Sequence, residues 1–129
     1  MKKIIILLLT VSTLISCETK AQGKKGISNT SVIEKISVSK FNKSIVKKDI
    51  QLVDVRTPQE YAQGHVSNAK NINLFDANFK NNLKQLDKNK AVFLYCRSGK
   101  RSAKASKILK ELGFKKVYDL KGGYLAWSR

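Results

Sequence analysis

Ala91-Val92-Phe93-Leu94-Tyr95, followed by Cys96-Arg97-Ser98-Gly99-Lys100-Arg101, is the stretch on which the reading of this chain turns. Five consecutive apolar residues describe a short strand buried on both faces, the pattern of a parallel sheet. After Cys96 the period changes. Ala105, Ile108, Leu109 and Leu112 recur at helical spacing, and Gly113 is a stop signal. One thiol is therefore expected where a strand becomes a helix. A helix start presents backbone N–H groups without intrahelical partners and the positive end of the helix dipole. Arg97, Lys100 and Arg101 add three full charges. Free cysteine, with a pKa of ~8.5, is only about 3% thiolate at pH 7, and a depression of ~2 units makes most of it nucleophilic. An inert buried cysteine is the structural alternative, but it would have to sit beside three cations.

Working outward, short apolar runs alternate with helical spacing. Ile36-Ser37-Val38 is an expected strand, and Phe41, Ile45 and Val46 form one face of a helix ending near Lys48. Residues 50–55 read as a strand carrying Asp54. Thr57-Pro58 opens a short helix, proline being well accommodated at the first helical position, and Gly64 ends it. Residues 69–73 read as a weak strand, 77–86 as a helix and 116–118 as a final strand. Gly122-Gly123 then turns into a terminal helical piece over 124–127. This alternation predicts an α/β domain with a mostly parallel sheet flanked by helices, with ligands bound beyond the carboxyl ends of the strands. Asp54 and Arg56 lie at one such end and the Cys96 loop at another. Asp54 is expected to support the active loop, and Arg56 and Glu60 to pair across a helical turn. His65 reads as part of a helix-terminating turn, and Tyr124 and Trp127 as closing the core. Gly99 supplies the backbone freedom for a tight curl around Cys96.

The amino-terminal stretch has a different character. Met1-Lys2-Lys3 is a basic start, residues 4–15 are mostly apolar, and Ser16 precedes Cys17. That is a signal-peptide pattern, and the apolar run falls short of the roughly 20 residues needed to span a bilayer. Leu14-Ile15-Ser16-Cys17 resembles the bacterial lipoprotein box. The resemblance implies a signal peptide over 1–16, cleavage before Cys17, and lipid on Cys17 holding the protein to a membrane of the bacterial cell envelope. Residues 17–31 are polar, with almost no large apolar side chains, and read as a flexible tether that cannot bury enough surface to offset its ordering entropy. The remainder, 32–129, is the size of one compact domain. With Cys17 lipidated, Cys96 is the single thiol left, and an unpaired thiol in an exported protein points to chemistry.

Against 26 Lys and Arg stand 9 Asp and Glu, a net charge of +17; losing Lys2 and Lys3 with the leader leaves +15. Such a field attracts anions. The lysines are scattered, however, and no basic stripe interleaved with aromatics appears, so no nucleic acid is expected. With one histidine and two cysteines, no conventional zinc site can be assembled, and no metal is expected. No phosphate-binding glycine loop or dinucleotide fingerprint is present, and no cofactor is expected.

An ordered set of segments resembles the single-domain rhodaneses. These are Leu52-Val53-Asp54-Val55-Arg56, Glu60-Tyr61, Gly64-His65-Val66, Ala69 with Asn71-Ile72, Cys96-Arg97-Ser98-Gly99-Lys100-Arg101-Ser102, and Leu120-Lys121-Gly122-Gly123 with Trp127. The departure is Val66-Ser67-Asn68, where the family commonly has an Ile-Pro-Gly turn. The resemblance implies a rhodanese-like domain in which Cys96 attacks a sulfane sulfur, holds it as a persulfide and yields it to a thiol or cyanide acceptor. Arg97, Ser98, Gly99, Lys100 and Arg101 would bind the small anionic sulfur donor, the backbone forming a cradle and the side chains attracting charge. Two other classes use the same parts: a sulfur carrier or partner-binding module without turnover, and an arsenate reductase or phosphatase. Four residues separate Cys96 from Arg101, one fewer than in the cysteine phosphatases, and the tighter ring favours a single sulfur atom over a tetrahedral phosphoryl group.

Overall fold

The computed structural model describes residues 30–129. The expectations for the leader, Cys17 and nearly all of the tether fall on residues 1–29 and lie outside the described residues. The elements run β1 (Val32–Ile36), α1 (Val38–Ile45), β2 (Ile50–Asp54), α2 (Pro58–Ala62), β3 (Lys70–Asn71), α3 (Phe79–Asn82), a 3-10 turn (Leu83–Gln85), β4 (Ala91–Tyr95), α4 (Lys100–Glu111), β5 (Lys116–Leu120) and α5 (Gly123–Trp127). Five parallel strands form one sheet in the order β1-β5-β4-β2-β3.

β4 occupies the centre, and its alternation divides the core. Val92 and Leu94 point with Cys96 into a cluster shared with Val53, Ala105, Leu109 and Val117, beneath α4. Phe93 and Tyr95 point the other way, into a cluster with Ile36, Phe41, Leu52 and Leu120, against which Tyr61, Tyr124 and Trp127 pack. The continuous apolar run of β4 is thus the signature of a strand covered on both faces.

Element boundaries moved where side chains compete with the backbone. Val38 opens α1 rather than ending a strand, because Ser37 caps that helix by accepting the Lys40 N–H at 3.3 Å. The helix expected over 77–86 is broken into α3 and the 3-10 turn. Asn73 and Asp76 accept the backbone N–H groups of Phe75 and Asn78, holding the preceding residues in turns. The strand over 69–73 contracts to Lys70–Asn71. Beyond it, Ile72 and Leu74 donate to the carbonyls of Asp54 and Val55, fastening the connection to the carboxyl end of β2. β5 runs two residues further than expected, to Leu120, because its pairing with β1 continues to Ile36 opposite Leu120.

Candidate active site

Cys96 follows β4 directly and is a free cysteine with 1% of its surface exposed. The Gly99 N–H donates to its Sγ at 3.0 Å, and the thiol faces the Ser102 Oγ at 3.5 Å. Burial pushes the Cys96 pKa up. The Ser102 hydroxyl and the backbone N–H groups of Ser102, Gly99 and Ser98 outweigh it, so the net direction is down from the ordinary thiol value. Gly99, at φ 109°, is the residue from which α4 starts and makes no side-chain cap, so the first turn of a twelve-residue helix opens onto the sulfur.

The loop is held in this shape from outside. Tyr124 N–H donates to the Cys96 carbonyl at 2.8 Å and Leu125 N–H to the Arg97 carbonyl at 3.1 Å. The carbonyl and N–H of one trans peptide point in opposite directions. These two bonds therefore turn the Arg97 and Ser98 N–H groups away from α5 and into the loop. The approach leaves no space at Gly123, φ 61°, where a Cβ would lie 2.5 Å from the Cys96 oxygen.

Asp54 and Arg56 form a buried ion pair, 0% and 4% exposed, rather than a contact with the thiol. Asp54 accepts the Arg56 backbone N–H at 2.9 Å, and Arg56 Nε and Nη2 approach its two oxygens at 2.7–3.0 Å. Nη2 also donates to the Gly64 carbonyl at 2.7 Å. The guanidinium lies over the Tyr124 ring, 4.1 Å from its centroid, and that tyrosine holds the Cys96 carbonyl. Asp54 is thus linked to the loop by contacts that run through Arg56 and Tyr124.

The expected Arg56–Glu60 pair is not formed, and this is a correction. Glu60 is committed instead to Arg101, which it engages through both carboxylate oxygens at 2.6 and 2.7 Å. The reason is tertiary: Asp54 already saturates the inner face of Arg56, while α2 and the start of α4 meet beyond the sheet. Arg101 is thus a paired cation, whereas Arg97 and Lys100 stand exposed. The same Glu60 closes the Thr57 capping box of α2. His65 stacks on Tyr61 with ring centroids 3.6 Å apart, and its Nδ1 lies 2.9 Å from the Tyr61 carbonyl oxygen.

Hydrogen bonding from Arg101, opposed by burial and aided by the Thr57 backbone, lowers the Glu60 pKa from 4.5 to about 2. A depressed carboxylate stabilises the fold fully above its unfolded pKa, and that contribution is lost as pH falls towards the folded value. Glu60→Gln is accordingly expected to lower the thermal midpoint by about 4–8 °C near neutral pH, for a loss of about 1 kcal/mol. The gap from wild type should close as pH falls from about 5 to about 2. A gap constant with pH would dismiss the ion pair as its source.

Clefts flank the loop on two sides. One, of about 340 Å³, is lined by Arg56, Glu60, Gly64, Arg97 and Tyr124 among others. The other, of about 420 Å³, lies between Ser98–Lys100 and the end of β5.

A buried free thiol at the carboxyl edge of a parallel sheet, where a strand gives way to a helix and the Gly99 N–H meets the sulfur, defines the class of α/β domain to which this chain is compared. The family follows from comparison: the Rhodanese-like domain model matches residues 37–129, and the chain belongs to that family. The protein YqhL of Bacillus subtilis is 39% identical over 78 residues, covering 60% of this chain and 60% of that protein. Thiosulfate sulfurtransferase GlpE of Coxiella burnetii is 36% identical over 84 residues, covering 65% and 77% respectively. The chain thus spans less than two thirds of the first of these relatives. The crystal structure of a rhodanese-like domain protein from Staphylococcus aureus superposes with a TM-score of 0.65 at 33% identity, over 73% of this chain and 90% of that one.

Ser102 was legible as part of the loop motif but not as the hydroxyl facing the thiol. The α5 backbone donors and the Glu60–Arg101 pair were not legible at all, because neither is local in sequence.

Proposed function

We propose that this protein is a membrane-tethered sulfurtransferase of the bacterial cell envelope that carries sulfane sulfur on Cys96. The observation that supports it is the Cys96 sulfur, held by N–H donors and shifted towards thiolate in an electropositive loop. The Cys96 thiolate attacks the outer sulfur of a thiosulfate- or polysulfide-type donor, a new S–S bond forms, and the donor's own S–S bond breaks. With thiosulfate, sulfite leaves with the bonding pair. A thiol or cyanide acceptor then attacks the outer sulfur of the persulfide and returns Cys96 as thiolate. Arg97, Ser98, Gly99, Lys100 and Arg101 receive the anionic donor, Arg97 and Lys100 through free charge, Arg101 through a charge shared with Glu60. Asp54 and Arg56 support the loop.

Mass spectrometry after exposure to thiosulfate tests the reading: Cys96 should gain one sulfur, about 32 Da, with stoichiometric sulfite. An acceptor should then remove the gain. Hydrolysis of aryl phosphates or reduction of arsenate that depends on Cys96 and exceeds sulfur transfer would overturn it. Tethering is tested separately. The full-length protein should partition with membranes, and Cys17→Ala should release it into the soluble fraction. Equal solubility of the two would reduce the leader to an ordinary secretion signal.

A further inference from the structure

Glu60 is a carboxylate fixed beside the anion-binding loop, and the transfer described above uses it only as the partner of Arg101. Its Oε2 accepts the Thr57 N–H at 3.0 Å and the Thr57 hydroxyl at 3.1 Å, and also meets Arg101 Nη1 at 2.6 Å. Its Oε1 accepts Arg101 Nη2 at 2.7 Å. Four bonds on two oxygens keep the group from swinging aside. They also hold it ionised, with a pKa of about 2.

Two of the cations near Cys96 are therefore already answered: Arg101 by Glu60, and Arg56 by Asp54. Among the described residues, Arg97 and Lys100 belong to no ion pair, and both are exposed. They lie on different sides of the loop. Arg97 lines the cleft of about 340 Å³ together with Glu60, Arg56 and Tyr124, whereas Lys100 lines the other. On the Glu60 side, one unpaired cation remains. Set against a Cys96 thiolate, the two unpaired cations leave the loop an excess of one positive charge. Leu125, 41% exposed, gives the Glu60 cleft an apolar wall beside Tyr124.

We propose that Glu60 sets the charge of the sulfur donor, favouring a singly charged organic sulfane donor over a doubly charged one such as thiosulfate. A donor in this cleft shares it with a fixed carboxylate, and each negative charge that the donor carries is repelled. A dianion meets that repulsion twice. A monoanion matches the excess of one positive charge, and its organic part has Leu125 and Tyr124 to lie against. With an organic thiosulfonate, the Cys96 thiolate attacks the outer sulfur. The new S–S bond forms as the donor's sulfur–sulfonyl bond breaks, and a sulfinate leaves with the bonding pair. The proposal rests on Cys96 being the reacting group of a sulfurtransferase.

Methanethiosulfonate and thiosulfate test it, because they differ by a methyl group in place of one charged oxygen. Loading of Cys96 is followed by mass spectrometry of the full-length protein at constant ionic strength. The ratio of the two loading rates, methanethiosulfonate over thiosulfate, should fall about tenfold in Glu60→Gln. Glu60→Ala should give the same fall, and decides the matter should Glu60→Gln fail to fold. A ratio unchanged in a folded variant, or rates altered by one factor for both donors, would show Glu60 to be structural and overturn the proposal. A second measurement needs no transfer. Sulfate and methanesulfonate, the unreactive counterparts, should shield Cys96 from iodoacetamide, and Glu60→Gln should tighten sulfate about tenfold more than methanesulfonate. If neither donor loads Cys96, the sulfurtransferase reading fails, and the shielding still decides the role of Glu60. In that event, shielding left unchanged by the substitution, or absent altogether, would overturn it.

Discussion

Cys96→Ser is expected to reduce sulfur transfer by at least about 10³-fold while leaving a folded domain. Serine is close in size to cysteine, and its hydroxyl can accept the Gly99 N–H and meet the Ser102 hydroxyl as the sulfur does. The fold should therefore survive, with a thermal midpoint near that of wild type. Chemistry should not. The loop stabilises a thiolate by N–H donors, but the same donors fall far short of ionising an alcohol, and oxygen forms no persulfide. The gain of about 32 Da should vanish from this position. Turnover that continued undiminished in the folded variant would eliminate Cys96 as the carrier of sulfur.

The second large effect is on stability. Asp54→Ala should destabilise the domain by about 3–5 kcal/mol, because it leaves the Arg56 guanidinium buried without its counter-charge. A domain of this size has a total stability of roughly 5–15 kcal/mol, so the variant should melt more than about 12 °C below wild type. Arg56 makes at least two further contacts, to the Gly64 carbonyl and the Tyr124 ring, and loosening it should be felt at the Cys96 carbonyl that Tyr124 holds. Cys96 alkylation should accordingly lose part of its thiolate advantage under conditions where the variant is still folded. Removing both charges, as Asp54→Ala with Arg56→Met, should cost less than the two single changes added together. Additive losses would show that the two side chains stabilise the fold independently.

What could be read in the chain and what could not divides along the range of the interactions. The strand before Cys96 and the helix after it were legible because both are encoded locally: an apolar run, a change of period, Gly99 and Gly113 at the boundaries. The run 77–86 shared that periodicity and still broke into α3 and a 3-10 turn, since Asn73 and Asp76 bond to nearby backbone more readily than a short helix forms there.

By itself the sequence determined the parallel α/β class, the place of Cys96 at a strand-to-helix junction, and the excess of positive charge around it. Each follows from residue order alone, through periodicity, capping and turn chemistry. Only the tertiary structure decided which charges meet: Arg56 with Asp54 two residues away, and Glu60 with Arg101 from another helix. Only it brought the α5 N–H groups onto the Cys96 and Arg97 carbonyls. The physical reason is that a side chain of either charge has several partners within reach along a helix or strand. The one it takes is set by which elements pack together and by how much water that packing removes.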